Sequence, residues 1–397
     1  MDAFNSSRRI AWLCTGVEVY GIRQAVLNLA GGLKARGWRP RIITLAHGPF
    51  ADECDELGFE NITIGLEPPP KLSGGLLDRA RTGMELLSYR KKAVTQIRRA
   101  LGREKPDAIH FLMPNLVPLA GLLGKTLRRP VFWEMPNYVG DGYPLDANKR
   151  LLRWMCARYD IQPLSNSAFT ASTLGEGKIS PIVFHLGVDE RRFDPERVIP
   201  FTRAEIGIDE HAVVLGVFAR ICPSKGQQVV LEAMLRVQRE LGSQTELHLA
   251  LFGGPTAGPD ALRLTEIAER AGLPHRLHLL GQVPDPERYY SIVDVAINAR
   301  IDPEPFGLSV VEAMMMRTPV LVHASGGPSE TVTDGKTGWH VHAPTPEAFA
   351  QGIRRALDDR DRWSEMGAAA RQDALERFSL ESMTGRYERI VTRRLAA

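Results

Sequence analysis

Two glutamates in the stretch IDPEPFGLSVVEAMMMRTPV have a spacing suited to binding hydroxyl groups. Seven residues separate Glu304 from Glu312, and Pro305, Phe306 and Gly307 predict a loop that leads into an apolar helix. We therefore expect Glu304 before the helix and Glu312 on its first turn. Since a helix N-terminus attracts anions, the two carboxylates would accept hydrogen bonds from hydroxyls on either side of a bound phosphate. A nucleotide sugar, with ribose, diphosphate and hexose in a row, has that form.

The same residues also have a purely structural interpretation. Ser309 and Glu312 match a capping box, in which the serine caps the helix and the glutamate bonds back to the N–H of the capping residue. The motif alone leaves both interpretations open. Glu304 lies outside the capping box, and a second charged pair upstream favours the ligand site.

That second pair is Arg220 and Lys225, which follow the predicted strand AVVLGVF and precede Gly226 at the start of a helix. An arginine can bind two oxygens of one phosphate and a lysine acts as a mobile point charge, so the loop predicts an anion site. Taken alone, the pair is typical of a solvated surface. With Glu304 in the same half of the chain, the three are predicted to be catalytic, the cations stabilising a departing diphosphate.

Candidate metal ligands are sparse. The single Asp-x-Asp pair, Asp359 and Asp361, lies in a charged helical stretch away from any strand end. The cysteines are far apart, with no CxxC pair to indicate a zinc site or a disulfide framework: Cys14, Cys54, Cys156 and Cys222. We predict no metal site and no cofactor, so that the nucleoside-diphosphate sugar acts as co-substrate of a metal-independent enzyme.

The elements that would position these residues alternate between short apolar strands and amphipathic helices, which predicts parallel sheets covered by helices. A chain of 397 residues exceeds one core, so we expect two domains. Ligands bind at the carboxyl ends of parallel strands. In the first half these positions are Gly16, Tyr20, Gly21, His110, Asn115, Glu134 and Asn137. Each of them alone is also compatible with an ordinary loop residue.

Composition excludes several classes of protein. The chain has 44% hydrophobic and 24% charged residues, as in ordinary globular proteins, and a net charge of +3, too small to indicate nucleic acid binding. No apolar run reaches the length of a membrane span. The apolar run after Arg8 and Arg9 is too short for a signal peptide and predicts a first buried strand. We expect a cytoplasmic protein.

Residues 71–105 form a distinctly basic stretch, in which apolar residues alternate with ten lysines and arginines against three acids. A basic amphipathic helix can lie on an anionic membrane, which would place the protein at the inner face of the membrane. A solvated face of a long helix is the alternative. The basic residues are Lys71, Arg79, Arg81, Arg90, Lys91, Lys92, Arg98, Arg99, Arg103 and Lys105.

Several motifs together resemble one enzyme family. EPFGLSVVEAM, preceded by FARICPSKG, is similar to the signature of the family-4 retaining glycosyltransferases of the GT-B fold (glycosyltransferase group 1). SNSAFTASTL, HLGVDERRFDP, FGG, LLGQV and GGPSETVTDGKTGW extend the match over residues 164–341. The resemblance implies an α/β chain of two Rossmann-like domains with parallel sheets facing across a cleft.

The resemblance also implies a division of the chain. Residues 1–192 would bind the acceptor, residues 193–375 would bind the nucleotide sugar, and residues 376–397 would form a helix that crosses back to the first domain. The predicted acceptor-binding residues are Tyr20, His110, Asn115, Glu134, Asn137 and Asn166. The predicted donor-binding residues are Gly21, Arg220, Lys225, Gly253, Gly281, Val283, Glu304, Pro305, Phe306, Gly307, Leu308, Ser309 and Glu312.

By the family pattern, Arg220 and Lys225 contact the diphosphate, Glu304 the hydroxyls of the donor sugar, and Glu312 the ribose. Backbone amides of residues 306–309 bind phosphate, and residues 281–283 line the base. Three positions depart from the pattern. Tyr20 precedes Gly21 where a Gly-Gly pair is common, Glu134 takes the region where a histidine is common, and Arg300 stands where a small residue is common.

We predict a retaining hexosyltransferase that moves a hexose from a sugar linked to UDP, GDP or ADP to an alcohol. The acceptors that we consider are a lipid-linked saccharide and a precursor of a cell-surface polysaccharide. By resemblance, the leaving phosphate helps to deprotonate the acceptor on the same face of the sugar. Two alternatives stay open: a nucleotide-sugar epimerase or hydrolase of the same architecture, and a catalytically silent protein peripheral on membranes.

Overall fold

A computed structural model describes residues 8–18, 20–66, 76–140 and 147–396 of the chain. The chain divides into two units. Unit 1 consists of Met1–Gly187 and Met383–Ala397, and unit 2 consists of Val188–Ser382. Part of the basic stretch, residues 71–75, lies outside the described residues.

Unit 1 alternates strands and helices. Its strands are β1 Arg9–Cys14, β2 Arg39–Thr44, β3 Glu60–Thr63, β4 Ala108–Phe111, β5 Val131–Met135, β6 Ile161–Ser165 and β7 Ile182–Val183. Its helices are α1 Tyr20–Ala35, α2 Pro49–Glu56, α3 Leu76–Leu101, α4 Val117–Leu127, α5 Ala147–Tyr159 and α6 Ala168–Leu174.

The strands of unit 1 form one parallel sheet in the order β3-β2-β1-β4-β5-β6-β7. Five of the six residues of β1 are buried, as expected for a strand that helices cover on both faces. Helices α3, α4 and α5 share one apolar cluster with the strands, in which Ile97, Leu123 and Cys156 are buried. These three helices therefore cover the same face of the sheet.

Unit 2 repeats the plan. Its strands are β8 Val213–Phe218, β9 Leu247–Phe252, β10 Leu277–Gly281, β11 Val295–Asn298, β12 Val320–His323 and β13 Gly338–Val341. Its helices are α7 Gln227–Leu241, α8 Pro259–Arg270, α9 Pro286–Tyr289, α10 Leu308–Met315, α11 Pro328–Thr331, α12 Pro346–Asp358 and α13 Trp363–Phe378. The final helix, α14, covers Leu380–Ala396.

The sheet of unit 2 is also parallel, in the order β10-β9-β8-β11-β12-β13. In both sheets the order of the strands reverses after the first three, although all strands stay parallel. This is the Rossmann order. The predicted fold of two Rossmann-like parallel sheets is confirmed. In unit 2 the reversal lies between β8 and β11, so the loops that follow these two strands are neighbours.

The last helix begins in unit 2 and continues into unit 1 at Met383. In unit 1 the indole N–H of Trp38 donates to Glu388 at 2.7 Å, and Arg394 forms an ion pair with Asp160. The two units divide after Gly187 and after Ser382, whereas the motifs had predicted limits at residues 192 and 375. Across the described ranges, no helix is both long and apolar enough to span a bilayer.

Candidate functional site

The loop between β8 and α7 carries Arg220 and Lys225. Residues Pro223–Lys225 form a single 3-10 turn, and Gly226 then adopts a left-handed φ of 71° before α7. A Cβ atom on Gly226 would lie 2.1 Å from the carbonyl oxygen of Ala299, so only glycine fits there. The side-chain amide of Gln227 donates to the carbonyl of Arg220 at 2.7 Å. The loop is therefore held closely against the end of β11.

A backbone hydrogen bond joins this loop to the one that follows β11. The N–H of Ile301 donates to the carbonyl of Ser224 at 2.9 Å. Two predicted catalytic side chains meet across that junction. Nζ of Lys225 lies 2.9 Å from Oε2 of Glu304. The structure thus brings together residues that are 79 positions apart in sequence.

Glu304 has a second cationic partner. Nη1 of Arg300 donates to Oε1 of Glu304 at 3.0 Å, so each carboxylate oxygen contacts a different cation. The side chains of Lys225, Arg300 and Glu304 are 23%, 18% and 12% exposed. Since most water is excluded, these charges interact more strongly than they would on an open surface.

The backbone of Glu304 is fixed on the side of β12. Its N–H donates to the carbonyl of Ser325 at 3.1 Å, and its carbonyl accepts from the N–H of Gly327 at 2.7 Å. Gly326 has a φ of 82°, and a Cβ atom there would lie 2.3 Å from the carbonyl oxygen of Glu304. The segment GGPSE, which begins at Gly326, therefore positions Glu304.

Helix α10 begins two residues earlier than the capping-box interpretation requires. Its N-cap is Gly307, with no side-chain capping bond, and its first backbone bond runs from Val310 N to Gly307 O at 3.0 Å. Ser309 lies inside the helix, so the capping-box interpretation is wrong. Glu312 is the fifth helical residue rather than part of the first turn, because Leu308 is already helical.

The carboxylate of Glu312 contacts an aromatic side chain that the sequence did not suggest. The hydroxyl of Tyr290 lies 3.2 Å from Oε2 of Glu312 and 3.1 Å from the carbonyl of Ser309. Burial raises the pKa of Glu312 to about 7, although the bond from Tyr290 and the charge of Arg192 act in the opposite direction. Glu312 is thus an acid that changes its charge near neutral pH.

Stacked aromatic rings support this part of the site. The ring of Tyr290 stacks on Phe218 with centroids 3.9 Å apart, and Phe218 stacks on Phe252 at 4.2 Å. Two of these rings end neighbouring strands, β8 and β9, while Tyr290 comes from the turn before β11. The stack fixes the hydroxyl of Tyr290 beneath α10.

The predicted donor-binding residues Gly253, Gly281 and Val283 adjoin these loops. Gly253 and Gly281 form a bridge at the carboxyl ends of β9 and β10, and Val283 is half-buried two residues further on. The guanidinium of Arg192 donates to the carbonyl of Pro284 at 3.2 Å and pairs with Glu287 at 3.0 Å. Arg192 therefore anchors the segment that carries Val283.

Two predicted residues of unit 1 are not loop residues. His110 lies within β4 and Glu134 within β5, where they are 0% and 2% exposed. Nδ1 of His110 lies 2.8 Å from the hydroxyl of Tyr387, and Nε2 lies 2.9 Å from Oε2 of Glu134. The prediction that both follow their strands was wrong, because a histidine and a glutamate inside apolar runs here form a buried network with α14.

The other candidates in unit 1 have varied surroundings. Asn115 and Asn137 are exposed beyond β4 and β5, as predicted. Asn166 is 2% exposed, donates to the carbonyl of Pro136 at 3.2 Å, and its Oδ1 has no partner among the described residues. Tyr20 and the exposed Gly21 are the first two residues of α1.

The loop between β1 and α1 contains a buried glutamate, Glu18, whose carboxylate accepts hydrogen bonds from the backbone of the same loop. The carboxylate of the buried Glu18 accepts from the N–H groups of Thr15 at 2.5 Å and Gly16 at 2.8 Å. Sequence reasoning missed Glu18, since no spacing rule marks it. The contacts predicted for Tyr20 and Gly21 with ligands stay predictions.

The Asp-x-Asp pair has a structural role in part. Asp359 is the C-cap residue of α12 and accepts a hydrogen bond from the indole N–H of Trp339 at 2.8 Å. Over the part of the chain that the structure describes, no three His, Cys, Asp or Glu side chains group as metal ligands. Metal independence itself stays a prediction.

Known proteins resemble this chain in sequence. A D-inositol 3-phosphate glycosyltransferase of Corynebacterium kroppenstedtii is 34% identical over 203 residues, 49% of this chain and 44% of the relative. A GDP-mannose-dependent alpha-(1-6)-phosphatidylinositol monomannoside mannosyltransferase of Mycolicibacterium smegmatis is 29% identical over 223 residues, 53% of this chain and 56% of the relative. The chain spans about half the length of these curated relatives.

Structure and family models extend the likeness to the whole chain. The crystal structure of a glycosyltransferase from Rickettsia africae covers 98% of both chains with a TM-score of 0.80 and 20% identity, and so shares the fold. Residues 20–192 match the model of the glycosyl transferase 4-like domain, and residues 198–373 match that of the glycosyl transferases group 1. The chain therefore belongs to the group 1, family-4 glycosyltransferases of the GT-B fold.

Proposed function

We propose that the chain is a retaining hexosyltransferase that moves a hexose from a nucleoside-diphosphate sugar to an alcohol acceptor, without a metal ion. The observation that carries this proposal is the contact between Lys225 and Glu304 where the sheet of unit 2 reverses. Such reversal points are where doubly wound sheets bind nucleotides. A cation suited to phosphate and a carboxylate suited to sugar hydroxyls adjoin there.

The donor would lie along the carboxyl ends of the strands of unit 2. In this arrangement Glu312 accepts from the ribose, residues 281–283 line the base, and Arg220 and Lys225 bind the diphosphate with the first amides of α10. Glu304 then accepts from hydroxyls of the hexose. The order base, ribose, diphosphate and sugar follows the order of the loops from β10 to β8 and β11.

The chemistry follows from where charge develops. As the bond between the anomeric carbon and the phosphate oxygen breaks, negative charge grows on the diphosphate, and Arg220 and Lys225 stabilise it most in the transition state. The acceptor oxygen bonds to the anomeric carbon on the same face. Its proton passes to the departing phosphate oxygen, so the configuration is retained and no covalent enzyme intermediate is needed.

The names of the relatives suggest acceptors. One acts on D-inositol 3-phosphate and the other on a phosphatidylinositol monomannoside. We propose a phosphorylated polyol or a lipid-linked saccharide as acceptor for this chain. An assay with both acceptor types would separate transfer from hydrolysis, because a hydrolase releases free sugar at a rate that does not depend on the acceptor.

One face of unit 1 suits contact with an anionic membrane. Helices α3 and α5 flank α4 on the same side of the sheet. Exposed apolar side chains occur on both helices: Met84, Leu87, Leu151 and Trp154. Exposed basic side chains accompany them: Lys91, Lys92, Arg98, Arg99, Arg150 and Arg158. Interfacial binding combines these two features.

We therefore predict that the protein sediments with vesicles containing phosphatidylglycerol at low salt and is released at high salt, because salt screens the attraction. Trp154→Ala should reduce sedimentation, since an interfacial tryptophan contributes apolar area. Leu262→Ala, which removes an exposed apolar side chain of unit 2, is the control. Equal sedimentation with neutral phosphatidylcholine vesicles would contradict the electrostatic part.

Calorimetric titration with UDP, GDP and ADP in the presence of EDTA tests the proposed donor site. One nucleotide should bind at micromolar concentration, and Glu312→Ala should weaken it by about tenfold through loss of a charge-assisted hydrogen bond. Loss of binding in EDTA would contradict metal independence. Failure of all three nucleotides to bind wild-type protein would contradict the donor site.

The pKa of Glu312 predicts a pH dependence. Only the ionised carboxylate accepts the ribose hydroxyl at full strength, and the pKa is about 7, so affinity should rise by about tenfold between pH 6 and pH 8. Glu312→Gln keeps an oxygen acceptor but does not titrate, so the variant reports any titration of the nucleotide itself. An equal rise in wild-type protein and variant would contradict the assignment.

A further inference from the structure

The backbone around Arg300 is held by contacts with β12 and with the loop that follows β8. It follows β11 by two residues, and its carbonyl lies 2.7 Å from Nδ1 of His323 on β12. The next residue, Ile301, donates its N–H to Ser224 in the loop that carries Lys225. The guanidinium therefore starts from a backbone fixed relative to Lys225.

The guanidinium of Arg300 contacts a carboxylate through one of its N–H groups, and another N–H group is buried without an acceptor in the part of the chain that the structure describes. Nη1 contacts Oε1 of Glu304, while Nε is shielded from solvent and has no acceptor among the described residues. A buried N–H without an acceptor costs free energy. The contact with Glu304 is thus the main charged interaction that the described structure gives Arg300.

Glu304 alone would compete with a diphosphate for Lys225. A carboxylate 2.9 Å from an ammonium, both mostly shielded from water, neutralises that ammonium. If Lys225 turned toward phosphate, Glu304 would be left as a largely buried charge without a cation. The second partner changes this balance, because Arg300 keeps Glu304 neutralised whether or not Lys225 remains bound.

We propose that Arg300 is a positioning residue for the donor: it holds and neutralises Glu304, so that Lys225 delivers its charge to the diphosphate. This inference rests on the proposed function. It gives the three side chains distinct tasks. Lys225 touches phosphate, Glu304 touches the sugar, and Arg300 touches neither but sets the charge available to both.

The test compares nucleoside diphosphate with monophosphate. UDP and UMP, GDP and GMP, and ADP and AMP are titrated into wild type, Arg300→Ser and Arg300→Lys, and the pair that wild type binds is used. Arg300→Ser should weaken the diphosphate by about tenfold and the monophosphate by less than about twofold, because the loss falls on one charge-assisted contact. Arg300→Lys keeps a cation and should restore most of the ratio.

A matched control removes a cation elsewhere in unit 2. Arg354→Ser breaks an exposed pair with Glu240 near the C-terminal end of α7, a helix of 15 residues that begins just after Lys225. The two ends of that helix are about 22 Å apart. The control should leave the ratio of the two affinities unchanged.

The outcomes separate the two proposals. If wild type binds a diphosphate but Arg300→Ser leaves the ratio unchanged, or lowers both affinities equally, the role of Arg300 is overturned and the donor site stands. If wild type binds no diphosphate, both are overturned. Thermal unfolding of each variant identifies a folding defect. If Arg300→Ser is misfolded, the ratio of the two affinities is compared instead between Arg300→Lys, which keeps the charge, and Arg300→Gln, which lacks it.

Discussion

Replacing Lys225 by alanine is expected to lower kcat for glycosyl transfer by about 10²–10³-fold, with a smaller rise in the KM for the donor. The amine lies 2.9 Å from Glu304 and is 23% exposed, so it is preorganised beside the proposed path of the sugar–phosphate bond. A cation that stabilises charge only as the bond breaks affects kcat more than binding. The measurement is release of nucleoside diphosphate from the donor chosen by titration, with acceptor present.

Lys336→Ala is the matched control for this variant. Lys336 is an exposed lysine of unit 2 in the turn that precedes β13, whereas Lys225 lies in a loop that follows a strand. Its removal should change kcat by less than about twofold, as expected of a solvated surface charge. If Lys225→Ala raised KM and left kcat unaltered, Lys225 would bind ground state and transition state equally, and its proposed role in departure would be wrong.

The loops that carry the proposed donor site could be predicted from sequence because their parts are local. Gly226 closes the loop after β8, and residues 304–312 contain both carboxylates and the start of a helix, so strand, loop and helix patterns place them. The proximity of Lys225 to Glu304 follows once both loops are assigned to strands β8 and β11, which pair at the reversal of the sheet.

The contacts of Glu312 were not predictable in the same way. Ser309 and Glu312 have the spacing of a capping box, but the helix begins at Leu308 because Gly307 takes the N-cap position. A shift of two residues in the start of the helix removes the box. Tyr290 then bonds to Glu312 from 22 positions away, and no sequence period encodes that contact.

The network in unit 1 was also beyond sequence reasoning. His110 and Glu134 follow apolar residues near strand ends, so both were predicted in loops. Their partner Tyr387 is 277 positions from His110, on a helix that begins in unit 2. Only the path of α14 into unit 1 brings the hydroxyl to the imidazole, and this path also sets the division of the chain at Met383.

His110→Leu is expected to destabilise unit 1 by about 3–5 kcal/mol, because it leaves the buried carboxylate of Glu134 without its partner. A neutral imidazole satisfies both bonds when the Tyr387 hydroxyl donates to Nδ1 and Nε2–H donates to Glu134. Burial, and then the charge of Glu134, raises the pKa of Tyr387 well above its ordinary value, so the hydroxyl keeps the proton that it donates. Hydrogen exchange of the amides in β4 and β5 measures the loss within unit 1.

Two further variants separate the charge from the packing. Tyr387→Phe removes only the hydroxyl and should cost about 1–2 kcal/mol. The double variant His110→Leu/Glu134→Leu removes the buried charge together with its partner, and it should be more stable than His110→Leu alone, because a buried pair replaced by apolar residues leaves no unpaired charge. If the double variant lost at least as much stability as His110→Leu and Glu134→Leu lose in sum when each is made alone, the ring of His110 would act mainly by packing against Trp12, whose ring centroid lies 5.5 Å away. Protection of the β4 and β5 amides would then fall with the volume removed, whatever the charge left behind.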